Sequence, residues 1–194
     1  MRYAVFLDAM NRPDEAIAHM RRALQLDPLS FQMNRHMGST LFFARHYDEA
    51  LYHLRRAGEM EPHSAVVDNW VSWIYEKKGM RDESVSHDLI SLHGKLPQDE
   101  IDRLRILYQR AGWKQYWQRR IDRMAPLGRQ GCLSYDVAVS YLRLENQDQA
   151  FLWLNQAIDR RCIWPIWLKV DPMLDNLRQD PRYPNLLRRV NLPE

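Results

Sequence analysis

His19, His53 and His87 stand 34 residues apart, and imidazoles at a fixed spacing first suggest metal chemistry. A shared zinc needs ring nitrogens within about 2.1 Å of one ion, whereas neighbouring helices pack with axes about 8–10 Å apart. No Cys, Asp or Glu completes a short-spaced ligand set, so the three read as one solvated position copied three times, with no metal expected. Arginine pairs recur as well: Arg21-Arg22, Arg55-Arg56, and Arg119-Arg120 with Arg123. Such a stripe would suit phosphates or an acidic partner. Net charge, however, is only +3, and Asp14, Glu15, Asp48 and Glu49 open the same helices. Acids first and arginines last complement the helix dipole, so nucleic-acid binding is not expected. Cys132 and Cys162 have no sequence context that lowers a thiol pKa. They are expected at the same end of one repeat as two free thiols, not a disulfide. No phosphate-cradling glycine loop, Gly-x-Ser-x-Gly elbow or His-Glu-x-x-His is present. The chain reads as a non-enzyme, with no catalytic residue, cofactor or metal.

The elements beneath these residues repeat. Small residues spaced 12 and then 7 apart occur as Ala4-Ala16-Ala23, Gly38-Ala50-Ala57, Ser72-Ser84-Ser91 and Ala138-Ala150-Ala157, the first three copies in steps of 34. Pro28 and Pro62 keep that step. A unit of this length cannot bury its own apolar face and must lean on a neighbour. Small residues recur where helix backbones approach closely. Periodicity and punctuation predict helices near 2–10, 13–26, 30–44, 47–60, 64–78, 81–93, 97–111, 113–125, 131–144 and 147–161. Asp171-Pro172 and Asp180-Pro181 each offer a cap followed by a first-turn proline, predicting short helices near 172–178 and 181–190.

Within Gly38-Ser-Thr-Leu-Phe-Phe-Ala-Arg-His-Tyr-Asp-Glu-Ala50, then Leu54, Ala57 and Pro62, the chain resembles a tetratricopeptide repeat. That resemblance implies an all-α, right-handed solenoid of about five helix pairs with a short helical C-terminal cover. The repeats fall near 1–30, 31–64, 65–97, 98–130 and 131–164, with the cover at 165–194, as one solenoid domain over 1–194. The fourth repeat is divergent: Arg105, Trp117 and Met124 stand where small residues belong. The tail, through Leu168-Lys-Val-Asp171-Pro172 and Leu177-Arg178-Gln-Asp180-Pro181-Arg182-Tyr183, is similar to the end of bacterial signalling proteins. In those, such an array follows a winged helix, a kinase domain or a cyclase domain.

Composition fits a buried helical core, with 45% apolar residues and 7 glycines. No run approaches the roughly 20 apolar residues of a membrane span, and no secretory leader is apparent. With two cysteines, a reducing, cytoplasmic setting is the expectation.

The expected function is protein or peptide recognition on a concave face of first (A) helices. Spacings of i, i+4 and i+7 nominate Arg35, Ser39 and Phe42; Asn69, Trp73 and Glu76; Asp102, Ile106 and Gln109; and Tyr135, Val139 and Leu142. Phe42, Trp73 and Tyr135 would be anchors. The two-lysine carboxylate clamp of chaperone-tail binders is not matched. The alternative role is a regulatory or dimerisation scaffold. By the 34-residue step the first A helix should begin before Met1, so the chain reads as part of a longer protein. Ile17 and Leu24 would then lack cover and support self-association.

Overall fold

The computed structural model describes residues 2–128 and 132–192. Among these the chain is helical, apart from one isolated bridge between His93 and Leu96. No helix among them is long and apolar enough to cross a membrane. Two compact units form, one up to Asp102 and one from Arg103.

In the first unit three helix pairs follow one another. They are α1 Arg2–Ala9 with α2 Pro13–Leu26, α3 Phe31–Phe43 with α4 Tyr47–Met60, and α5 Ala65–Lys77 with α6 Arg81–Ile90. Most boundaries match the periodicity. The sixth helix stops three residues early, where the chain turns through Gly94 at φ 76°. Each pair reverses direction by the same device. Asn11, Arg45 and Gly79, seven residues after the first small residue of each triplet, take φ values of 58°, 65° and 77°. The next amide then donates back over the turn: Arg12 to Leu7 at 2.9 Å, His46 to Leu41 at 2.8 Å, Met80 to Tyr75 at 2.9 Å. This Schellman closure satisfies carbonyls that a helix end leaves open.

The small residues mark where the two helices of a pair touch. Ala16, Ala50, Ala57 and Ser84 are wholly buried. A Cβ on Gly38 would lie 2.5 Å from Leu54 Cγ, too close for any larger residue. In the third pair a hydroxyl replaces the methyl contact, as Ser72 Oγ donates to the Ser84 carbonyl at 2.8 Å. Successive A helices also meet. Phe42 and Phe43 on α3 face Trp70 on α5 with ring centroids 5.4 and 5.6 Å away, and Trp73 lies 6.1 Å from Phe42.

The second unit is less regular. Helix α7, Gln98–Met124, is interrupted at Gly112, whose φ of 75° and ψ of −167° are not helical. The interruption stands where the fourth repeat was expected to turn. Helices α8 Leu133–Arg143 and α9 Gln147–Asp159 restore the pattern. Glu145 has φ 62°, and the Asn146 amide donates to Tyr141 at 3.0 Å. Three short elements then cover this pair: 3-10 turns at Trp164–Trp167 and Pro172–Leu177, and α10 Tyr183–Arg189.

The tail segment singled out in the sequence is a lock for that cover. Asp171 accepts from the Met173 amide at 2.8 Å and, on its other oxygen, from the Tyr135 hydroxyl of α8. Arg178 donates to the carbonyls of Leu168, Lys169 and Asp171, and the Tyr183 hydroxyl donates to Leu168. Asp180 does not cap a helix at Pro181 as expected. Its carboxylate accepts from the Arg182 amide at 2.9 Å in a turn, and α10 starts at Tyr183.

Cys132 and Cys162 do meet at one end of the α8–α9 pair, but as a disulfide, with Cα atoms 5.2 Å apart. The expectation of two free thiols is thereby corrected. Helix α9 ends in another Schellman turn, with Arg161 at φ 54° and the Cys162 amide donating to Ala157 at 3.0 Å. That turn brings Cys162 within the roughly 7 Å reach of a disulfide.

Candidate interaction surface

The nominated residues divide between core and surface. Phe42 and Trp73 are 0% and 3% exposed: they join adjacent A helices and cannot anchor a partner. Tyr135, Val139 and Leu142 are likewise buried in the second unit, at 0%, 1% and 7%. Ser39 is buried too, and its hydroxyl donates to the His36 carbonyl of its own helix at 2.9 Å. Arg35, Asn69, Glu76 and Asp102 are half-buried, while Ile106 and Gln109 are exposed. The i, i+4, i+7 spacing marks one side of a helix. It does not distinguish the side facing solvent from the side facing the next A helix.

On α3 and α5 the accessible surface therefore centres on Gln32, Arg35, His36, Val66 and Asn69. Gln32 and Val66 were missed, although they stand 34 residues apart and so share one register. Arg35 is the notable group. Its Nη2 donates to Gln32 Oε1 at 3.0 Å and to His36 Nε2 at 2.7 Å, both neutral acceptors. No carboxylate among the described residues lies within ion-pair distance of it; the Glu61 charge acts on it only from farther away. Burial, and then the Arg35 charge, push the His36 pKa down to about 4, so at neutral pH His36 accepts and carries no charge. Arg35 thus keeps its Nε and Nη1 donors for a ligand while its head is held in place.

The histidine triplet is solvated only at His19, which is exposed; His53 and His87 are half-buried. His53 Nδ1 meets Asn34 Oδ1 at 3.2 Å, and His87 Nδ1 meets Asp68 Oδ1 at 2.8 Å. Each ties a second helix to the first helix of its own pair. His19 packs edge-on against Tyr3 at 4.9 Å. Three arginines of the first two pairs are engaged by the next repeat or the preceding turn. Arg21 lies 3.7 Å from Glu49, Arg55 donates to the Tyr75 hydroxyl at 3.2 Å, and Arg56 reaches the Pro28 carbonyl at 3.4 Å.

One ionisable group escaped sequence reasoning. Asp8, on α1, is 5% exposed and accepts from Thr40 Oγ of α3 at 2.9 Å. Its other oxygen has no hydrogen-bond partner. Burial raises its pKa to about 7, against the opposing pull of the Thr40 bond. The available signal was register: Asp8 occupies the position that Phe42 fills one repeat later.

Around Ile17 the expected lack of cover is not found, since it is 5% exposed, and Leu24 is half-buried. The exposed apolar groups of α1 are Tyr3 and Phe6, each 51% exposed and stacked at 6.1 Å.

Residues 1–28 match the family model of the tetratricopeptide repeat. No curated protein matches the chain. Two solved structures of MamA are similar to it. One is 14% identical, with 82% of this chain and 75% of that chain covered and a TM-score of 0.45. The other is 14% identical, with 82% and 70% covered and a TM-score of 0.44.

Proposed function

We propose that this chain, whose residues 1–28 match the tetratricopeptide-repeat model, binds a partner protein segment along the A helices of its first unit, with Arg35 as the polar contact. The observation that carries the reading is a half-buried guanidinium held by neutral neighbours with donors to spare. Removing a charge from water is costly unless it is paired, and a charge-assisted hydrogen bond from a partner's carboxylate or carbonyl supplies that pairing. Val66, 42% exposed, gives the segment an apolar neighbour.

Peptides selected from a random library on the full chain provide the test. Arg35→Gln should weaken their binding about tenfold or more, the loss expected for one charge-assisted bond of roughly 1.5–3 kcal/mol. Equal binding to both proteins would sink the reading.

A second reading, self-association through α1, is favoured by one observation. Tyr3 and Phe6 are exposed, whereas the residues one and two repeats on in the same register, Met37 and Thr40, then Val71 and Ile74, are buried. If α1 pairs with a second copy, Phe6→Glu should shift a dimer to monomer in sedimentation. A wild-type chain that sediments as a monomer at all concentrations rules this out.

A further inference from the structure

We infer that the Cys132–Cys162 bond is made on the working protein by disulfide transfer, and that the second unit therefore matures and acts in an oxidising compartment. The chain has two cysteines in 194 residues, so one pairing is possible and no isomer competes with it. Both are placed by backbone features of the α8–α9 pair. Cys132 is the residue before the first turn of α8, an 11-residue helix. Cys162 is carried to the same end by the turn at Arg161. A reduced, folded chain would thus present its two thiols already within reach of each other.

Either thiolate can open the exchange with an oxidant. Both residues are partly exposed, so the disulfide of an oxidoreductase or of oxidised glutathione can approach. One thiolate attacks one oxidant sulfur, forming a mixed disulfide, and the other oxidant sulfur leaves as a thiolate. The second cysteine, having lost its proton, then attacks the Sγ of the first; the Cys132–Cys162 bond forms and the second oxidant sulfur leaves. The protein gives up two electrons and two protons, and the oxidant's disulfide becomes two thiols. Where thiols dominate, the same steps run backward, and a partly exposed bond has no shield against them.

The bond fastens the start of α8 to the beginning of the cover. Trp164, two residues after Cys162, stacks on Tyr135 with centroids 5.6 Å apart and rings 17° from parallel. Tyr135 in turn donates to Asp171, so the covalent link and the polar lock converge on one tyrosine.

The test equilibrates the full chain in glutathione mixtures running from the poise of a reducing cytosol to that of a secretory compartment. Acid quenching, alkylation and mass spectrometry then count free thiols. The expected result is none in the oxidising mixtures and two per chain in the reducing ones. Two alkylated thiols in the oxidising mixtures would overturn the inference. A bond that survives the most reducing mixture would overturn the assignment of a compartment, because the bond could then persist anywhere.

Discussion

Asp171→Ala is expected to destabilise the second unit by about 3 kcal/mol, combining an orphaned buried donor with a lost cap. Asp171 and Tyr135 are both 0% exposed. Burial, and then the Asp171 charge, hold the Tyr135 hydroxyl well above its ordinary pKa, so it remains a donor throughout the working range. Removing its acceptor leaves a buried O–H with no way to reach water, and the Met173 amide loses its cap. Asp171→Asn keeps a side-chain oxygen and should lose less. Urea unfolding followed by near-ultraviolet circular dichroism reads both variants, through the tryptophans of the cover. An Asp171→Ala chain as stable as wild type would mean that the tail motif is not a lock.

Asp8→Asn should remove a pH dependence of up to about 4 kcal/mol, the equivalent of a shift from 3.8 to about 7 at roughly 1.4 kcal/mol per unit. In the unfolded chain Asp8 ionises near 3.8; in the fold it holds its proton to about 7. The folded state therefore binds the extra proton. Its stabilising contribution is complete below pH 3.8 and is lost as pH rises through 7. His36 acts in the opposite sense. Its pKa falls from 6.5 to about 4 on folding, so its contribution is present above pH 6.5 and lost as pH falls through 4. The two partly cancel between about pH 4 and 6.5, and wild-type stability alone would hide both. The diagnostic quantity is the stability of Asp8→Asn minus that of wild type, which should increase from pH 5 to pH 8. A difference that stays level would show that Asp8 ionises freely in the fold.

The repeated triplets made the helix pairs legible because a close backbone contact tolerates few residue types. Gly38 and Ala50 could be placed on touching helices without coordinates. The turns at Asn11 and Arg45 were legible in position but not in geometry, since nothing about arginine announces a left-handed backbone. The interaction surface was legible only in part. Phe42, Trp73 and Tyr135 have the residue types of anchors, but an aromatic side chain suits a core as well as an interface. Packing between successive A helices decides which, and one helix's periodicity carries no information about its neighbour. Arg35 stood out in the sequence as a cation. Its missing counter-ion appears only once Gln32 and His36 are seen to hold it.

Hydrogen exchange on the full chain, with and without a peptide selected on it, tests the proposed binding face most directly. If the A helices of the first unit hold the partner, the peptide should slow exchange within 31–43 and 65–77 and leave 47–60 and 81–90 unchanged. Slowing confined to 47–60 and 81–90 would place the partner on the second helices and contradict the account.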